Sequence, residues 1–246
     1  MTKSVVIIGA TSSLARALAH QLARRGTDLY LVARDEAELK RIAQDLKIRY
    51  QVAVNWSQFE ALAFESHGEI CDRILAQASP LDGVIICMGE LGNQPTAQTD
   101  INRALAIIQS NYTGAVSVLT PLANALEKQG SGWIVGIGSV AGDRGRQSNY
   151  VYGSAKGALA LFLQGLRSRL SKVGVHVMTV KPGFMDTKMT FGLPGLFLVA
   201  DPNDVAEDIL TALKMRKNTV YLPWFWWGIM MIIRSIPEPI FKKMKL

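Results

Sequence analysis

The sequence predicts an α/β fold: a single domain built on one doubly wound parallel sheet of about seven strands, with helices on both faces. Two observations carry this. Short apolar runs without polar alternation, as strands buried on both faces require, recur along the chain, and amphipathic helical stretches stand between them. Strand–helix–strand units close through right-handed crossovers, so the strands run parallel, in a Rossmann-type order. The 246 residues suit one core, and no internal repeat, long linker or low-complexity stretch divides them.

Residues 5–8 form the first strand. This run is too short for a signal-peptide core and leads into a glycine-serine turn rather than a cleavage site, so a cytoplasmic protein is expected. Residues 14–25 are helical, with Leu14, Ala15, Leu18 and Leu22 on one face. The second strand is 29–33, the second helix 35–47 and the third strand 50–54. A helix at 70–78 precedes a fully apolar fourth strand at 83–87. Residues 102–127 read as one long helix, with Pro121 placed to start a new turn or a kink. A fifth strand at 132–138, a long helix at 150–173 and a sixth strand at 175–180 follow. Asp201-Pro202 opens a helix reaching 214, and 219–222 is the seventh strand. The chain thus divides into a body, 1–222, and an apolar, basic tail, 223–246.

Composition narrows the function classes. Cys71 and Cys87 lie in or beside apolar runs, and His20, His67 and His176 are scattered. No spacing suits a metal site, so no metal is expected, and the thiols read as buried and reduced. The net charge of +7 comes without a basic block interleaved with aromatics, which argues against nucleic acid.

Four constellations carry chemistry. Gly9-Ala10-Thr11-Ser12-Ser13-Leu14-Ala15 follows the first strand and opens the first helix. Gly9 allows the tight turn, and the helix start, with Thr11, Ser12, Ser13 and Leu14, can face a pyrophosphate. An ordinary strand-to-helix turn is the alternative. Arg34, just past the second strand, suits a 2′-phosphate, whereas a carboxylate there suits ribose hydroxyls. Asp35 follows it, so NADP(H) is the expected cofactor and NAD(H) the alternative, with a solvated arginine as the bland reading. Tyr152 and Lys156, four residues apart, share a helical face. A phenol, with a pKa of about 10, is brought towards neutrality by a neighbouring ammonium. It can then protonate a carbonyl oxygen, or take a proton from an alcohol, as a hydride moves. Ser139 ends the fifth strand, at the sheet edge where such folds bind ligands, and can hydrogen-bond the same oxygen.

On these residues the chain resembles the short-chain dehydrogenase/reductase family over essentially its whole length. The resemblance implies that Asn111, in Ser110-Asn111-Tyr112-Thr113-Gly114, holds a water in a proton relay from Lys156, and that Lys156 also holds the nicotinamide ribose. It matches Pro182-Gly183-Phe184-Met185-Asp186-Thr187 to the segment where Thr187 meets the nicotinamide carboxamide. Asn55 takes the place of an aspartate near the adenine. Two departures stand out: Ser13 and Ala15 replace glycines of the turn, and Cys87-Met88-Gly89 replaces Asn-Asn-Ala-Gly, leaving only Gly89 in common. A homodimer or homotetramer is also implied.

A narrower resemblance rests on residues 141–154, on Asn111-Tyr112-Thr113 and on the tail, 229–243, around Arg234 and Pro237. These are similar to decaprenylphosphoryl-2-keto-erythro-pentose reductases, which reduce a keto-sugar carried on a polyprenyl phosphate. Reduction of a ketone to a secondary alcohol, on a small or lipid-linked keto substrate, is the implied activity. Arg144 or Arg146 is then expected on the phosphate. Phe184 and the apolar run that follows (Phe191, Leu193, Pro194, Leu196, Phe197, Leu198) are expected over the substrate. A 3-ketoacyl or other lipid ketone reductase, and a non-catalytic NADP(H)-binding redox sensor, are the alternatives.

The tail has a physical reading of its own. Trp224-Phe225-Trp226-Trp227 leads into an apolar stretch, then Arg234, Lys242, Lys243 and Lys245. The stretch has about half the roughly 20 residues that span a bilayer. Tryptophans followed by lysines suit an element lying on the inner face of the membrane, contacting it through 224–246. Packing on the body or at a subunit contact is the alternative.

Overall fold

A computed structural model describes residues 4–192 and 196–244. Leu193, Pro194, Lys245 and Leu246 lie outside the described residues. Among the described residues seven strands make one parallel sheet, ordered β3-β2-β1-β4-β5-β6-β7. They are β1 (Ser4–Ile8), β2 (Asp28–Ala33), β3 (Val54–Gln58), β4 (Leu81–Ile86), β5 (Trp133–Ile137), β6 (His176–Pro182) and β7 (Thr219–Leu222).

The apolar strands are explained by what covers them. In β1, Val5 and Ile7 face a core with Leu14 and Leu18 of α1 (Ser13–Arg24), Leu39 and Leu46 of α2 (Glu36–Tyr50) and Ile209 of α8 (Pro202–Lys214). Val6 and Ile8 face the other way. They meet Ile74 of α3 (His67–Ala78), Leu119 and Leu122 of α6 (Gly114–Gln129) and Leu163 of α7 (Tyr150–Leu170). With both faces buried, the positions after Ser4 at the strand's start leave no place for a polar residue.

The structure differs from the expected elements in three places. The third strand starts four residues late. The helix α2 runs on through Tyr50, held by an Arg49–Asp45 pair one turn apart and by the Tyr50 hydroxyl, 3.2 Å from His20 Nδ1. It ends at Gln51 in a left-handed conformation, φ 55°, and only then does β3 begin. The long helix around 102–127 is three pieces: α5 (Ile101–Ile108), a π-helical turn (Gln109–Thr113) and α6. The irregularity falls at Asn111, while Pro121 stays inside α6. A further short helix, α4 (Gln94–Thr99), precedes α5.

The tail folds back as α9 (Trp226–Ser235) and α10 (Glu238–Phe241). Trp226 and Met230 pack on Val140, the residue after Ser139. Arg144 ties the tail down. Its guanidinium donates to the carbonyls of Ile233 and Arg234, pairs with Glu238 at 3.1 Å and stacks 3.7 Å from the centre of the Phe241 ring.

Candidate active site

Two glycines on one helical face bring the candidate catalytic side chains together. On α7, Gly153 and Gly157 flank Lys156 and let the turn after Ser139 lie directly on the helix. A β-carbon at Gly153 would sit 2.7 Å from the Ala141 carbonyl oxygen, and one at Gly157 2.9 Å from that of Gly142. The Ser139 hydroxyl caps this turn, accepting from the Ala141 N–H at 3.1 Å. From the far side Gln94 accepts the Val151 N–H at 3.1 Å, anchoring the helix start one residue before Tyr152.

Tyr152 and Lys156 are both buried. Their electrostatics differ from the sequence expectation. Burial pushes the Tyr152 phenol up to about 12, and a hydrogen bond with Ser139 works against that. Lys156 does not lower it here. Its Nζ lies 5.9 Å from the Tyr152 ring centre and donates to the carbonyls of Met88, at 3.1 Å, and Ile137, at 3.2 Å. Burial draws the ammonium itself down to about 8, because taking a charge out of water disfavours it.

Asn111, fully buried in the π-helical turn, donates from Nδ2 to the carbonyls of Glu90, at 2.7 Å, and Ile107, at 2.8 Å. Its Oδ1 is buried with no partner. That oxygen and Lys156 Nζ lie 2.3 and 2.9 Å from the point where a Gly89 β-carbon would stand. An unpaired acceptor and an ammonium thus share the space that Gly89 leaves open. A π-helical turn is often found at functional sites.

The turn expected to hold a pyrophosphate has the chemistry to do so. Gly9, at φ 84°, turns the chain beneath Cys87. Ser12 caps α1, accepting the Ala15 N–H at 3.2 Å, and its hydroxyl touches Cys87 Sγ at 3.3 Å. The N–H groups of Thr11, Ser13 and Leu14 make no hydrogen bond among the described residues. Free N–H groups at a helix start attract an anion. Thr11 and Ser13 open onto a cleft of about 330 Å³ shared with Arg16 and Lys188. The Leu14 side chain is in the core. Arg34, exposed after β2, has no ion-pair partner among the described residues. Asp35 is engaged elsewhere: its carboxylate caps α2, accepting the Glu38 N–H at 2.9 Å.

After β6, Pro182 pairs with Leu222 at the strand end. Thr187 reaches Thr190, their hydroxyl oxygens 3.2 Å apart. The Trp226 indole covers Gly183 and meets Phe184 edge-on at 5.5 Å. These groups stand at the C-terminal edge of the sheet, with Ser139 and Tyr152.

Two predicted residues are not where they were expected. Asn55 is exposed in the first half of β3, opposite Tyr30, and lines a surface hollow with Ser4, Asp28 and Ser79 at the other end of the sheet. The late start of β3 is the reason. The strand instead ends on Gln58, whose Nε2 donates to the Arg34 carbonyl at 3.0 Å. Arg144, expected on a substrate phosphate, is taken up by the tail. Arg146 is the arginine left over: its Nε is buried without a partner, and burial lowers its pKa.

Sequence reasoning missed Gln94 and Gln58, and read Trp226 only as part of the tail, not as a residue beside the site. Asn93 before Gln94-Pro95 is a helix-start signal and could have located α4; the long-range contacts of all three have no local sign.

A family model described as short chain dehydrogenase matches residues 3–193. An uncharacterized oxidoreductase of Mycobacterium tuberculosis is 35% identical over 240 residues, covering 98% of this chain and 96% of the relative. One from Streptomyces coelicolor is 34% identical over 245 residues, with the same coverages. Among solved structures, a short-chain dehydrogenase from Sphingobium yanoikuyae in complex with NADPH superposes with a TM-score of 0.80. It is 26% identical, over 96% of this chain and 97% of that one.

Proposed function

The chain belongs to the short-chain dehydrogenase/reductase family, and from that premise we propose that it is an NADP(H)-dependent reductase converting a ketone to a secondary alcohol. The observation that carries this reading is the meeting of Ser139, Tyr152, Lys156 and the unpaired Asn111 Oδ1 at one sheet edge.

The free N–H groups of Thr11, Ser13 and Leu14 hold the pyrophosphate, and unpaired Arg34 takes the 2′-phosphate. With Asp35 engaged as a helix cap, no carboxylate there competes for a ribose, which favours NADP(H) over NAD(H). Thr187 and Lys156 hold the nicotinamide end, and the bound cofactor supplies the hydride. Ser139 and Tyr152 bind the carbonyl oxygen, and Tyr152 Oη gives it a proton. The Ser139 hydroxyl, the group that works against the raised phenol pKa, stabilises the phenolate left behind. Asn111 Oδ1 and Lys156 Nζ, facing the space beside Gly89, hold the water through which Tyr152 is reprotonated from solvent.

The substrate we assign is a polar ketone bearing an anionic group, such as a keto-sugar on a polyprenyl phosphate. Arg146 Nε, Gln94 Nε2 and Asn149 Oδ1 are all buried without partners, on or beside the segment that leads to Tyr152. Buried polar atoms are normally paired, so this cluster supports a polar ligand. The aromatic wall of Phe184, Phe197 and Trp226 favours a second reading, a 3-ketoacyl or other lipid ketone. The outer faces of α5 and α7, where Ile101, Leu105 and Leu161 are exposed, are assigned to a homodimer or homotetramer. The protein is assigned to the cytoplasm, at the inner face of the membrane.

Single-turnover NADPH oxidation with a polyprenyl-phosphate keto-pentose and with ketoacyl thioesters tests the reading. Turnover of the first, lost in Tyr152→Phe, is expected. Turnover of thioesters alone would move the assignment to lipid ketones. Tight NADPH binding with no turnover of any ketone would leave a non-catalytic sensor.

A further inference from the structure

A short helix that is apolar on every side leaves its outer face without a partner. The helix α9 is one. Trp226 and Met230 are buried against the body, 2% and 1% exposed. Trp227 and Met231, on another stripe of the helix by its spacing, are 59% and 46% exposed, and Trp224, in the turn just before the helix, is 80% exposed. Phe197 and Leu198 of the segment after β6 are also half exposed, and the Phe197 ring lies 5.7 Å from Trp226, which joins the two stretches. The two exposed tryptophans alone present on the order of 300 Å², the scale of the largest apolar patch on an ordinary monomer.

Charge identifies the partner. Residues 224–246 carry Arg234, Lys242, Lys243 and Lys245 against a single acid, Glu238. Glu238 is paired with Arg144, whereas Arg234, Lys242 and Lys243 are exposed. A second copy of this chain would set the same basic cluster against itself. An anionic bilayer complements both features: tryptophans favour its interface and lysines its headgroups. The ten residues of α9 rise about 15 Å, too little to cross, and no described helix is long and apolar enough to cross a membrane.

We propose that the outer face of α9, with Phe197 and Leu198, docks the protein on an anionic lipid surface, the helix lying in the plane of the interface. The inner face of the same helix, at Trp226, packs on Val140 beside Ser139. A substrate whose apolar chain stays in the bilayer would therefore meet the site along α9. This last step rests on the ketone-reductase reading; the docking does not.

The full-length protein is sedimented with vesicles of phosphatidylcholine, with and without phosphatidylglycerol, at low and high salt. The expected result is binding to the anionic vesicles, weakened by salt and at least about tenfold weaker without phosphatidylglycerol. Trp224→Ala with Trp227→Ala, and separately Lys242→Glu with Lys243→Glu, should each reduce it about tenfold. Circular dichroism and NADPH oxidation with a water-soluble ketone should be unchanged in both double variants. Absence of binding, equal binding to neutral vesicles, or retention by the variants would overturn the proposal. So would a change in oligomer mass in the tryptophan variant without an effect on vesicles, which would assign the face to a subunit contact. Vesicle binding needs no turnover, and soluble-ketone turnover needs no vesicle, so the two readings fail separately.

Discussion

Lys156 and Tyr152 share a face of α7, yet the lysine turns from the phenol to the carbonyls of Met88 and Ile137. Burial holds this ammonium down to about 8, against 10.5 in the unfolded chain. Between those values the unfolded chain binds more protons than the folded one, so stability rises with pH across that window. Below it the cost of the buried charge is present in full. Lys156→Met removes that cost. At neutral pH the variant should be more stable to urea by about 1–2 kcal/mol, a gain that shrinks towards pH 10.5. Its turnover should fall by about a hundredfold or more. A gain that grew with pH would contradict the argument.

On the proposed mechanism the same pair sets the pH dependence of ketone reduction. Tyr152 must carry its proton and Lys156 its charge. The phenol keeps its proton up to about 12, so the lysine, near 8, fails first. kcat/KM for reduction should be level through neutral pH and fall above about 8. Tyr152→Phe should lower the whole profile by about 10²–10⁴. An alkaline limb unchanged in Lys156→Arg would assign it to another group.

Arg34 and Asp35 are neighbours with separable roles. Arg34→Ser should weaken NADPH binding about tenfold or more while leaving NADH unaffected, as read by fluorescence titration. Asp35→Ala should cost about 1 kcal/mol of stability by uncapping α2. It should leave the NADPH-to-NADH ratio unchanged; a shift in that ratio would mean that Asp35 also touches the ribose.

The two arginines expected on the substrate should respond in opposite ways. Arg144→Ala removes a stack on Phe241 and three hydrogen-bonded contacts to the tail. It should cost about 1–3 kcal/mol and open the chain to proteases beyond β7. Arg146→Ala removes a buried group with no partner, so stability should hold while KM for an anionic ketone rises. Loss of stability in Arg146→Ala would point to a structural partner instead.

These contrasts mark how far the sequence could be read. Tyr152 and Lys156 were legible because their relation is local, one helical turn. The sheet was legible because strands buried on both faces leave an unbroken apolar run. The third strand was not. Tyr50-Gln51-Val52-Ala53-Val54 has the aromatic and β-branched content of a strand, while the real β3, Val54–Gln58, is half polar. A pair of charges and a contact to His20 extend α2 across that ground, and the slip carried Asn55 to the wrong end of the sheet. Arg144 reaches the tail 89 and 90 residues away, and Gln94 reaches Val151 across 57. Such separations leave no trace in spacing.

The contact between Trp226 and Gly183 bears on how the chain could change over time. The indole nitrogen lies 1.9 Å from where a Gly183 β-carbon would be, so the two positions divide one fixed volume. An alanine at 183 demands a smaller side chain at 226, and a small residue at 226 releases 183 from being glycine. Related chains should therefore vary at these positions as a pair. The size of the residue after the Pro182 position would then indicate, from sequence alone, whether a relative carries a bulky helix over that strand.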